Sequence, residues 1–136
     1  MKKLLLAILA LCQVATNVYS KDHPSKEKLF NEYESRVSYL HKNHINVFPC
    51  IWPFYTQADR TKSRAKSVCK DNEGCLNFFV EKFDLNDVKT RNSSLAQLTI
   101  AKKYCLDEFN EFDAECAQKI VDDIDSSLAN QAPEFR

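Results

Sequence analysis

A single glycine, Gly74, serves the whole chain of 136 residues, and its four prolines are Pro24, Pro49, Pro53 and Pro133. Tight β-hairpins draw on Gly or Asn-Gly at their turns, so a fold of many short strands lacks its turn chemistry here. Long helices joined at few breaks need far less of it. The sequence therefore predicts an all-α fold.

Apolar spacing agrees. Asp22-His23-Pro24-Ser25 supplies cap and first-turn chemistry for a helix running to about Asn43, with Phe30 beside a stripe of Leu29, Tyr33, Val37 and Leu40. Two prolines four apart make 47–55 a connector, and a second helix is expected from Phe54 to about Lys70. Asp71-Asn72-Glu73-Gly74 reads as a turn, and Cys75, Leu76, Phe79, Val80 and Phe83 as the next amphipathic piece. With Asn92, Ser93 or Ser94 as cap, Leu95, Leu98, Ala101, Cys105, Phe109 and Phe112 form a helical stripe, which Cys116, Ile120, Ile124 and Leu128 extend. Asp113 offers a second cap that would split this stretch in two.

The first twenty residues bear on the compartment. Met1-Lys2-Lys3 is basic, Leu4 to Ala15 is apolar apart from Gln13, and Val18 and Ser20 stand where a signal peptidase reads its −3 and −1 positions. An apolar run of about a dozen residues falls short of the roughly 20 that span a bilayer. The expectation is a signal peptide over 1–20 and one secreted helical domain over 21–136, with no membrane span. Without Lys2 and Lys3 the basic count falls from 19 to 17 against 19 acids, a balance with no general attraction to nucleic acid.

Such a domain carries five cysteines: Cys50, Cys69, Cys75, Cys105 and Cys116. In an oxidising compartment two disulfides form and one thiol is left over. On one unbroken helix Cys105 and Cys116 would lie about 16 Å apart along the axis, beyond disulfide reach. A nested pairing follows, Cys69 with Cys116 and Cys75 with Cys105, and Cys50 is the odd cysteine. That pairing is one of fifteen open to five cysteines, and a helix break near Phe112 would weaken the argument for it.

Cys69-Lys70-Asp71-Asn72-Glu73-Gly74-Cys75 followed by Leu76-Asn77-Phe78-Phe79 resembles the Cys-x5-Cys segment of a group of secreted nematode cysteine-rich proteins of unknown function. Tyr104-Cys105, Phe112, Glu115-Cys116 and Lys119-Ile120 are similar to that group's later Tyr-Cys, Phe, Asp-Cys, Lys-Leu pattern. The resemblance spans Cys69 to Ile120 and departs from the pattern in lacking one further Cys after Cys75 and another after Cys116. It implies secretion and a helical, disulfide-linked domain, and it brings no activity.

Candidate sites are few. His41 and His44 are three apart, but two ligands do not make a metal site, and no metal or other cofactor is expected. Cys50 follows both histidines without the signature of a thiol nucleophile, and motifs for serine hydrolases, phosphate-binding loops, zinc proteases and EF-hands are absent. No catalytic residue is assigned. Trp52, Phe54 and Tyr55 in the connector are a candidate interaction patch, or else a plug over the end of the bundle. Asn92-Ser93-Ser94 is the one glycosylation sequon, with an unused helix cap as its other reading. Arg60, Lys62, Arg64, Lys66 and Lys70 offer a surface to anionic lipid or glycan, or simply a solvated face near the acids between Asp107 and Asp125. The function expected is a secreted, non-enzymatic interaction module for an extracellular protein. The alternative is a carrier of small hydrophobic ligands, marked by a Phe-lined cavity of several hundred Å3.

Overall fold

The computed structural model describes residues 23–44, 56–87 and 90–131. Among them five helices follow one another: α1 (Lys26–His44), α2 (Gln57–Cys69), α3 (Glu73–Lys82), α4 (Arg91–Cys105) and α5 (Ala114–Ala129). Together with two disulfides they make a small braced bundle of the expected all-α class.

Helix α4 is the centre, packed against α5, α1 and α2. Leu95, Ala96, Leu98, Ile100, Ala101 and Cys105 are buried, and so are Ser94 and Gln97. A helix buried on so many sides must satisfy its polar side chains internally. Ser94 Oγ donates to the Thr90 carbonyl at 2.8 Å, and Gln97 Nε2 donates to Asp125 Oδ1 at 2.7 Å. The cap is Thr90, so the expectation that Asn92, Ser93 or Ser94 opens this helix is corrected: the helix begins at Arg91 and takes all three into its first turn.

The other helices lay apolar stripes on this centre. In α1, Leu29, Tyr33 and Leu40 are buried, and Ser25 Oγ accepts the Lys28 amide at 3.2 Å. The segment before α1 is tied down by His23 Nε2, 2.7 Å from Asp123 Oδ2 on α5. In α2, Thr61, Ala65 and Cys69 recur every four residues on the inner face, behind a Thr56 cap. α5 buries Ala117, Ile120, Val121 and Ile124 completely. Fully burying one such aliphatic side chain is worth about 1.5–3 kcal/mol.

Two expectations about breaks change. Gly74 is not a turn residue: Asn72 caps α3, and Glu73 and Gly74 are its first residues, with no glycine at positive φ. The strained position is Lys70, the end of α2, at φ 53°. A Cβ at Gly74 would stand 3.5 Å from Phe112 Cβ, ordinary contact distance.

The second change is larger. α4 stops at Cys105, and the chain reverses through 106–113 before Asp113 caps α5, its Oδ1 accepting the Cys116 amide at 3.1 Å. The reversal brings the two Cα atoms within 5.6 Å, and the bond is Cys105–Cys116. The remaining pair, Cys69–Cys75, closes the turn between α2 and α3, also with Cα atoms 5.6 Å apart. The nested pairing is therefore wrong in its partners, because the continuous helix it assumed does not exist. The two loops do lie side by side. Asn72 Oδ1 accepts the Cys75 amide at 2.8 Å, while its Nδ2 donates to the Asn110 carbonyl in the other loop, and the Phe78 and Phe112 rings meet at 5.6 Å. Cys50 and the start at Lys21 lie outside the described residues.

Asn72 thus has two separable roles. Asn72→Asp keeps the cap but sets a carboxylate against the Asn110 carbonyl, whereas Asn72→Ala loses both contacts. Each should destabilise, Asn72→Ala by about 1–3 kcal/mol, and a thermal melt of an Asn72→Asp protein as stable as wild type would show that the inter-loop bond carries no weight.

Candidate functional site

The reversal between α4 and α5 is built from short-range polar contacts. Asp107 Oδ1 accepts the amides of Phe109 at 2.9 Å and Glu111 at 2.8 Å, and the Asp107 amide donates to the Glu111 carbonyl at 3.0 Å. Asn110 takes a left-handed conformation at φ 63°, which asparagine tolerates better than most residues. Leu106 and Phe112 pair as an antiparallel bridge, the Asp113 amide donates to the Cys105 carbonyl at 2.9 Å, and the disulfide closes the base.

This frame holds Phe109 at its tip, 78% exposed. The side chain was expected on the inner stripe of a helix, and the structure corrects that: the stripe ends with α4. Phe112 stays inward on Phe78, while Phe109 stands in water among the exposed Asp107, Glu108 and Glu111. A groove of about 930 Å3 runs along the loop, lined by Tyr104, Leu106, Phe109, Phe112 and these carboxylates. An exposed aromatic on a pre-ordered backbone loses little entropy on docking, and the acids around it set the sign of the charge it can meet. Sequence reasoning missed this site because Phe109 and Phe112 continue a helical period. The overlooked signal was the cluster Asp107, Asn110 and Asp113, residues that favour turns and caps.

A second groove, of about 530 Å3, lies between α1 and α4 and includes Glu32, Arg36, Tyr39 and Lys103. Lys103 Nζ at 2.8 Å and Tyr104 Oη at 2.9 Å both donate to Glu32 Oε1. Burial alone would push the Glu32 carboxyl up, but these two hydrogen bonds and the charges of Lys103 and Lys28 together hold it below its ordinary value of 4.5. The hydrogen bond to Glu32 in turn raises Lys103.

The other sequence candidates are scattered. Trp52, Phe54 and Tyr55 lie outside the described residues. Asn92 is half-buried, its Nδ2 3.4 Å from His41 Nδ1 and its Oδ1 without a partner. The basic helix α2 packs chiefly against α3 and α4, not against the acidic α5. Among the described residues no group of three His, Cys, Asp or Glu is placed to hold a metal, and no helix is long and apolar enough to cross a membrane. No family model, curated protein or solved structure matches the chain.

The Glu32 contacts predict a pH dependence. A carboxyl held lower in the folded than in the unfolded chain adds stability above its ordinary range, lost as pH falls through the folded value. Glu32→Gln should lower the melting temperature modestly at neutral pH and change it little in strong acid, so that the acid limb of a melting-temperature profile flattens. An unchanged acid limb would show the contacts to be energetically silent.

Proposed function

We propose that this chain is a secreted, non-enzymatic interaction domain that docks a basic extracellular protein through Phe109. The observation that carries the reading is an aromatic side chain held out by a disulfide-closed, carboxylate-ringed loop. Aromatic anchors of this kind dominate binding energy where a partner offers an apolar pocket, and a rim of acids steers a cationic surface onto it. Two disulfides fit an oxidising compartment, as does the leader-like start of the sequence. Trp52, Phe54 and Tyr55 are a second candidate patch in the same chain.

The carrier reading draws less support. Phe79 is fully buried and packs at a tilt on Phe83 at 5.2 Å, and Phe78 packs on Phe112, so the phenylalanines of α3 fill the interior, while the groove that Phe109 and Phe112 line is walled by carboxylates as well. A glycan on Asn92 would have to be attached before α1 and α4 dock, because the folded side chain is turned toward His41.

Placing a photo-crosslinking residue at Phe109, and at the exposed Val80 as control, tests the proposal in the extracellular fluid of the source. Crosslinks to one basic protein at 109 but not at 80, weakened by salt, support it. Phe109→Ala should weaken binding of that protein by tenfold or more while leaving the melting temperature within about 2 °C. Equal crosslinking at both positions, or native mass spectra showing a bound lipid and no protein complex, would refute it.

A further inference from the structure

At the other end of α4 from this loop, the seam between α2 and the start of α4 gathers arginines. Arg60 and Arg64 stand one turn apart on α2, on the same face as Gln57, while Arg91 is the first residue of α4. Gln57 Oε1 accepts from Arg91 Nη1 at 3.0 Å and so turns this guanidinium toward α2. Arg64 and Arg91 meet no carboxylate among the described residues. Burial pulls the Arg64 guanidinium below its ordinary value, and Arg91 and Arg60 facing it add to the fall. Arg91 is likewise lowered by burial and then by Arg60. All three lie within electrostatic reach of one another.

Arg64 Nη1 and Arg91 Nε are buried donors without a hydrogen-bond partner. Leaving such groups unmet costs about 1–3 kcal/mol each, and more for charged ones, so several in one place call for an acceptor. The like charges of Arg64 and Arg91, neither of them ion-paired among the described residues, add to that cost. The first turn of α4 contributes in the same direction, with no acidic residue and no side-chain cap bond from Thr90. Guanidinium forks match the oxygens of a tetrahedral anion, which accepts paired N–H bonds from each fork.

We propose that Arg64 and Arg91, with Arg60 beside them, form a compact site for one sulfate or phosphoryl group in the seam between α2 and α4. The site is compact because the lysines of α2 do not share it. Lys62 and Lys66 are exposed and, at 100° per residue, fall on the side of α2 away from Arg60 and Arg64. An extended polyanion would use both sides of the helix, whereas a single ester group needs only the arginine side.

The test is titration of the whole folded protein with sodium sulfate and sodium phosphate against sodium chloride at matched ionic strength. Two quantities are followed, the Arg91 Nε–Hε resonance and the melting temperature. The expected result is a saturable shift of that resonance with one of the two oxyanions, absent with chloride. Arg64→Gln should weaken that binding about tenfold or more, and Arg91→Gln should abolish the stabilisation seen in the melt. Lys66→Gln, which removes the same charge from the other side of α2, should leave both unchanged. Arg64→Gln should not melt below wild type without anion, since it removes like-charge repulsion, so loss of binding there is not confused with loss of fold; Arg91→Gln also loses its bond to Gln57, and its melt is read only as the difference with and without anion. Glucosamine 6-sulfate and glucose 6-phosphate, compared at equal concentration, then assign the site to a sulfated or a phosphorylated ligand. Shifts no larger than chloride's, shifts that survive both arginine variants, or an equal loss in Lys66→Gln would overturn the proposal.

Discussion

The bond between Cys105 and Cys116 closes the one reversal on which the bundle's arrangement turns. It fixes where the central helix ends, and so decides that α5 folds back along α4 instead of prolonging it. Closing a loop of this length removes about 3 kcal/mol of chain entropy from the unfolded state on the loop-closure account. Burial of Ile120, Val121 and Ile124 on α5 depends on that return, and so does the anchoring of His23 by Asp123.

The same reversal separates what could be read in the sequence from what could not. Helix stripes in α1 and α5 were legible because Leu29, Tyr33 and Leu40, or Ile120 and Ile124, repeat at intervals that one face of a helix imposes. The end of α4 was not, because Phe109 and Phe112 fall on the same interval by position while belonging to a loop. Periodicity reports where an apolar residue would point if the helix continued; it does not report Asp107 diverting two amides onto its own carboxylate. Once that break was missed, the distance argument for the disulfides failed with it, although the four cysteines it paired are the four that are joined. Gly74 misled in a smaller way, since its neighbours Asp71 and Asn72 belong to a turn and a cap whereas Gly74 itself is helical.

The candidate sites were legible to different degrees. Basic residues on α2 stood out as a run, but Arg91 lies 27 residues beyond Arg64, and only packing of α4 on α2 brings them together. Phe109 was visible as an aromatic among acids, and only the fold shows that it faces water. The two features lie on different elements, so an acidic loop with an aromatic tip and a basic seam can serve different ligands on one small scaffold.

Everything said of the loop rests on its closure, so the most direct measurement is non-reducing peptide mapping of the folded protein. One linked fragment holding Cys105 with Cys116, and another holding Cys69 with Cys75, is the result this account predicts. A fragment joining a cysteine of one loop to a cysteine of the other would contradict it.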